Sequence, residues 1–340
     1  MGLDIYAGTL TRYYSHNWKT VVQQWAEENG YAFNRITPDG EPADNEEELS
    51  PAEVQAAVEN WRDQILNAIS QPGQPPYAPW PENNVSPYYT DKPDWDAFGA
   101  MLLAAACHTY EEPVPPTVEK DWNFGEHPLV ARLAADQERV WSLFRGATWW
   151  LPLPDAFFFQ APLPTDDTAA IGTVGGLRKE LEKLNQLAWQ ADEDTILDWA
   201  DTEGYPADGT VGPDGQYSKA DISEHTQYDT QSLAKFAFSM FWRAMRFAEE
   251  QQVPILLDYY GGALWDTMSV FTRFRRKKCG NGILPRFPGY SRGRRKRCWP
   301  LPHSTEWRTS MRKNIWILCG SVRGQSRMNC LIRATAFILR

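Results

Sequence analysis

Cysteine is nearly missing from the first 260 residues: of five in the chain, Cys107 alone falls there, inside the apolar run AMLLAAACH. A single thiol excludes a disulfide framework in that stretch, and one so placed is expected to be a small packed hydrophobe in a reducing compartment. Long apolar runs are missing too. The longest, Met101 to Cys107, is far short of the ~20 residues that span a bilayer. The N-terminus MGLDIYAGTL has an acid at Asp4 and no basic leader, so no targeting segment is expected and the cytoplasm is the expected location. His16, His108, His127 and His225 are scattered, without an H-E-x-x-H or Ser/His/Asp arrangement, which leaves no ground for a metalloprotease, a catalytic triad, a metal or a cofactor.

Bases are scarce in the same region. Residues 1–260 carry 16 Lys and Arg against 42 Asp and Glu, a net of −26, whereas residues 261–340 carry 18 against 2, a net of +16. The mean field of the larger part repels nucleic acid and anionic lipid and attracts cationic partners. The chain divides accordingly into an acidic globular part, 1–265, and a basic, Cys- and Arg-rich tail, 266–340. In the tail, Arg275 to Lys278 and Arg294 to Arg297 alternate with Cys, Trp and Ile, and helical or strand periodicity is lost. Three readings stand: an arm that grips phosphates with interleaved Trp299, Trp307 and Trp316, an out-of-frame translation, or a segment that folds back on the acidic part. Cys279, Cys298, Cys319 and Cys330 have no C-x-x-C or Cys/His spacing, so zinc is weakly supported.

In the first 265 residues the elements alternate. LDIYAGTL predicts a strand and Trp18 to Glu28 a short amphipathic helix stopped at Gly30. YAFNRIT predicts a second strand, and an acidic loop follows from Pro38 to Leu49. Ser50-Pro51-Ala52-Glu53 is a capping box with proline in the first turn, and Val54, Val58, Trp61, Ile65 and Ile69 then draw one apolar stripe. Six prolines between Gln71 and Lys92 predict a long loop or flap. Helices are expected at Pro93 to Tyr110, a central one, and at Pro128 to Arg145. ATWWLPLP, DAFFFQAPLP and Thr168 to Thr173 predict extended segments, and Gly175-Gly176 leads into a helix with Leu177, Leu181, Leu184 and Leu187. After a Gly/Asp/Pro-rich excursion from Ala200 to Gln227, a helix over Gln231 to Glu250 and an interior strand, VPILLDY, complete the pattern. This is a compact α+β domain with long Pro/Gly-rich loops, followed by a poorly structured tail.

The chemistry is less legible. Trp beside acids, as in Asp94-Trp95-Asp96, Asp121-Trp122 and Asp198-Trp199, suits a sugar cleft or a core. GTVGG, Gly172 to Gly176, suits a phosphate at a helix N-terminus or a plain strand-to-helix turn. Asp208-Gly209 and Asp214-Gly215 invite calcium but miss its loop spacing. The block LTRYYSHNW sets Arg12, Tyr13, Tyr14 and His16 in one connection, where polar groups converge on a ligand or form a structural corner. With Asp4 and Asp258, these four are the ligand or interface candidates.

The opening MGLDIYAGTLTRYYSHNW resembles a set of uncharacterised bacterial proteins that begin M-G-L-D-I-Y-x-G-x-L-T-R-Y-Y, and the similarity extends to GGLRKELEKLNQLAW and ILLDY. The resemblance covers the acidic part and stops near the tail. It implies no activity, and it implies that such a chain does not end in a basic, cysteine-rich segment. Three functions follow as expectations. The first is an intracellular module, like an immunity protein, that masks a cationic protein partner. The second is a hydrolase of a sugar or small polar substrate using carboxylates in a Trp-lined cleft. The third is nucleic-acid binding, if the tail is genuine. No membrane partner is expected.

Overall fold

A computed structural model describes residues 3–30, 50–71, 73–165, 167–206, 209–211, 217–219, 226–259 and 316–318. The fold is α+β. The first strand, β1 (Leu3–Ala7), runs into a short helix, α1 (Leu10–Tyr14), and then α2 (Val21–Glu28) and α3 (Pro51–Ile69). Next come β2 (Tyr89–Asp91), α4 (Trp95–Thr109), β3 (Thr117–Glu119) and α5 (Pro128–Ala135). Strands β4 (Ala147–Leu151), β5 (Phe158–Pro162) and β6 (Thr168–Thr173) precede α6 (Val174–Ala188) and α7 (Glu193–Thr202). The order closes with β7 (Gly209–Val211), β8 (Tyr217–Lys219), β9 (Gln227–Asp229), α8 (Thr230–Gln251), β10 (Ile255–Tyr259) and β11 (Trp316–Leu318).

The main sheet is mixed, with strands in the order β11-β5-β6-β4-β10-β1-β2. Only the β4/β6 pair is parallel among its described pairings. The expected interior position of VPILLDY is met, since β10 lies between β4 and β1. Two further antiparallel pairs, β3 with β9 and β7 with β8, stand apart from it.

Each face of the sheet supports its own core, because successive strand side chains point to opposite sides. Leu3, Ile5 and Ala7 of β1 join Ile255 and Leu257 of β10 in a core with α4, α6 and α8. Tyr6 and Leu256 face the other way, into a core with Val54, Val58, Trp61, Ile65 and Ile69 of α3. Residues 97–107 of α4 are buried on every side, as expected of a central helix that is apolar all round. The capping box of α3 is present as read, with the Ser50 side chain accepting from the Glu53 amide and the Glu53 carboxylate accepting from the Ser50 amide at 3.0 Å.

Two helices depart from the sequence pattern. The helix expected over Pro128 to Arg145 stops at Ala135. Asp136 ends it by accepting from the amides of Glu138 and Arg139 at 2.8 and 3.2 Å, a local turn that competes with helix continuation. Trp141 and Phe144 are nevertheless buried, carried by irregular chain and a 3-10 turn at Leu143–Arg145. Helix α2 starts at Val21 instead of Trp18, because Thr20 forms its own capping box with Gln23. The segment from Gln71 to Lys92 is a long loop, as expected, whose Trp80 and Glu82 are buried and whose end pairs with β1 as β2. The strand expected at YAFNRIT, the Pro38 to Leu49 loop, Asp208, the Asp214-Gly215 pair and the tail cysteines lie outside the described residues. Among the described residues, no helix is long and apolar enough to cross a membrane.

Candidate functional site

Strand pairing brings the two acidic candidates together. In the antiparallel register of β1 and β10, Asp4 lies opposite Asp258, flanked by the opposed pairs Leu3/Tyr259 and Ile5/Leu257. Opposed residues share a face, and alternation puts these carboxyls on the side of Tyr6 and Leu256. Continuing the β1/β2 register beyond Ile5/Asp91 sets Lys92 on the other flank of Asp4.

Burial pushes the Asp4 carboxyl up to about 6. Lys92 opposes that rise, while Asp258, Asp94 and Asp91 add to it. One oxygen of Asp4, Oδ1, is buried without a hydrogen-bond partner among the described residues.

Helix α1 supplies the rings above this pair. Its sequence is only LTRYY, too short to hold itself as a helix, and it is pinned twice at its N-terminal end. Thr9 caps it by accepting from the Arg12 amide at 3.3 Å. The buried Glu82, from the long loop, accepts from the amides of Leu10 and Thr11 at 3.3 and 2.8 Å, from the Thr11 hydroxyl at 2.9 Å, and from the Trp80 indole at 2.9 Å. An anion on exposed amides at a helix N-terminus is favourable. Burial raises the Glu82 carboxyl and these four donors oppose the rise.

So held, α1 directs Tyr13 at Asp258. The tyrosine hydroxyl donates to that carboxylate, and burial together with the acid holds its own pKa well above the usual phenol range. Tyr13 packs edge-on against Tyr14 at 5.2 Å, stacks on Trp18 at 5.5 Å and lies 5.4 Å from Tyr6. Tyr14 reaches Trp149 of β4 at 6.3 Å.

The other two candidates go elsewhere. Arg12 donates to the carbonyls of Asn17 and Ser86 and lies over the Tyr88 ring at 4.7 Å, so it serves the corner alternative. His16 is exposed at the end of the turn, with φ +53°. The structure therefore gathers Asp4, Asp258 and Tyr13, with Tyr14 beside them, and leaves Arg12 and His16 outside the group. Glu82 and Lys92 belong to the arrangement but carry no sequence signal of it.

The remaining motifs resolve into packing. In GTVGG, Thr173 caps α6 by accepting from the Gly176 amide at 3.1 Å, and the Gly175 amide donates to the Leu153 carbonyl at 2.9 Å. A Cβ on Gly175 would sit 2.0 Å from the Pro154 carbonyl oxygen, so the glycine allows close backbone approach and its amide is already spent. This is the plain strand-to-helix turn. Trp199 is buried against Trp189 and Phe238, while Trp95 and Trp122 pack on Phe124. No grouping of His, Cys, Asp and Glu suited to a metal ion occurs among the described residues.

No protein-family model matches the chain, and no curated protein or solved structure matches it.

Proposed function

We propose that this protein is an intracellular binding module for a cationic protein partner, in the manner of an immunity protein. The opposition of Asp4 and Asp258 carries the reading. Two carboxyls share one face, one of them with a buried, unbonded oxygen, beneath a wall of tyrosine rings. Carboxylates beside aromatic faces suit an ammonium or guanidinium, through ion pairing and attraction to the ring quadrupole. The net of −26 over residues 1–260 supports the same reading by steering such a partner inward.

The test separates a site from a diffuse field. A lysine homopolymer peptide is titrated against the full chain by calorimetry at low and high salt. Asp4→Asn with Asp258→Asn changes the charge by two, as does the exposed control pair Asp198→Asn with Glu250→Gln. A local site predicts a loss of about 10-fold for the first pair alone. Equal effects of the two pairs would sink the proposal.

One observation favours the second reading, carboxylate hydrolysis: Asp4, held up to about 6 beside a second carboxyl, Asp258, resembles one half of a paired-carboxyl site. Turnover of a chromogenic glycoside that disappears in Asp4→Asn would promote it over binding.

A further inference from the structure

The two ends of the main sheet are defended differently. At one end, β2 is three residues long, includes the charged Asp91, and is followed at once by Lys92 and Pro93. Short length, charge and proline are devices by which an edge strand avoids pairing with another chain. Towards the other end lies β5, which has no charged residue. Its one proline, Pro162, comes last, after Phe158, Phe159 and Gln160. Paired with β6 on one side, such a strand offers a row of main-chain N–H and C=O groups on the other.

This edge is also firmly presented. The register with β6 runs without a break from Phe159/Ile171 to Pro162/Thr168. Phe159 and Ala161 are fully buried in the core shared with α3, and the Trp61 indole of α3 donates to the Pro162 carbonyl at 2.8 Å. Gln160, between them, is exposed. A fixed backbone rail with alternate side chains tucked away is the geometry of peptide capture by strand addition.

The occupant is in the same chain. Strand β11 lies antiparallel along this edge, with Trp316 opposite Gln160, Ile317 opposite Phe159 and Leu318 opposite Phe158. Three residues held by β5 alone make a ladder at the low end of local stability, so it opens while the rest of the sheet stays closed. We infer that the outer edge of β5 is a strand-acceptor site that takes an extended segment through main-chain hydrogen bonds, and that residues 316–318 are its exchangeable occupant. An uncharged edge suits an uncharged, β-prone partner, which Trp-Ile-Leu is by sequence. The inference is independent of the acidic pair, since β6 and β4 separate β5 from β10.

Ile317→Pro in the full chain removes the middle main-chain donor of β11. Amide exchange is expected to quicken about 10-fold or more at Phe158–Gln160 and to stay unchanged in β1 and β10. A peptide of residues 313–320 carrying Cys319→Ser, added to the variant, is expected to restore that protection, whereas the same peptide N-methylated at Ile317 is expected not to. Unchanged exchange at Phe158–Gln160 overturns β11 as the occupant. Protection restored by both peptides, or by neither, overturns the strand-acceptor site. General loss of protection in β1 and β10 would make β11 an integral part of the fold and overturn its exchangeability. The unaltered chain gives a second reading that needs no variant. With carbon-13 carbonyls in the peptide, isotope-edited infrared is expected to show its amide band move to the sheet position in the presence of the chain. A band that stays where the free peptide has it overturns the exchange.

Discussion

Asp4 and Asp258 face each other across β1 and β10, so the first and last strands of the described main body place two carboxyls side by side. Their ionisation is therefore coupled. Because Asp258 raises Asp4 and Lys92 lowers it, Asp258→Asn should bring the Asp4 pKa below about 6 and Lys92→Met should carry it higher. Carboxyl-carbon NMR titration of Asp4 reads both shifts. An unmoved Asp4 in both variants would mean that burial alone sets its value.

Glu82 decides whether Tyr13 stays aimed at Asp258. Removing it in Glu82→Ala strands four donors, three of them on the first turn of α1. The expected loss is about 2–4 kcal/mol in denaturant unfolding, with faster amide exchange at residues 10–14. A variant as stable as the original would show that α1 is held by its ring packing instead.

Glu180 gives the fold a pH dependence of definite sign. Its carboxylate accepts from the Ser142 amide at 2.5 Å, the Ser142 hydroxyl at 3.0 Å and the Leu143 amide at 3.2 Å, while Trp150 donates to that hydroxyl at 2.8 Å. Burial pushes the carboxyl from 4.5 up to about 7, against those donors. The folded state then holds a proton that the unfolded state has released, so this group's contribution to stability is lost as pH rises from about 4.5 to 7. Relative to Glu180→Gln, which does not titrate, the original chain should lose roughly 1–3 kcal/mol across that window. Paired melts at pH 5 and pH 8 suffice, and a constant difference would refute the assignment.

Gly175 should tolerate no side chain. Gly175→Ala drives a Cβ into the Pro154 carbonyl and is expected to cost about 3 kcal/mol or more. Gly30→Ala meets nothing within 4 Å and pays only for its φ of +75°, about 1 kcal/mol. Comparable melting temperatures for the two would contradict the packed turn and reopen a ligand role for GTVGG.

Elements that carry their own signals were readable in the chain. Ser50 with Glu53 announces α3, the leucines from Leu177 to Leu184 announce α6, and the apolar VPILLDY announces an interior strand. Elements set by distant partners were not. Helix α1 is five residues long and depends on Glu82, more than seventy residues away. Helix α7, with a modest apolar face, and strand β9, three residues paired to β3, carry too little local pattern to stand out. The end of α5 turns on how one side chain, Asp136, uses its oxygens. The candidate site follows the same division. Asp4, Tyr13 and Asp258 are residues that chemistry singles out, but their meeting depends on strand register, which no local pattern encodes.

The position of β10 between β4 and β1 also sets an order of assembly during synthesis. At ~5–20 residues per second, Tyr259 leaves the ribosome roughly 10–50 s after Leu3. Strand β2 arrives far earlier and can shield one edge of β1, but the other edge stays open until nearly all of the described main body has been made. The nascent chain therefore carries a sticky, half-paired N-terminal strand for most of its translation, and a delay or premature stop before residue 255 would release it in that state.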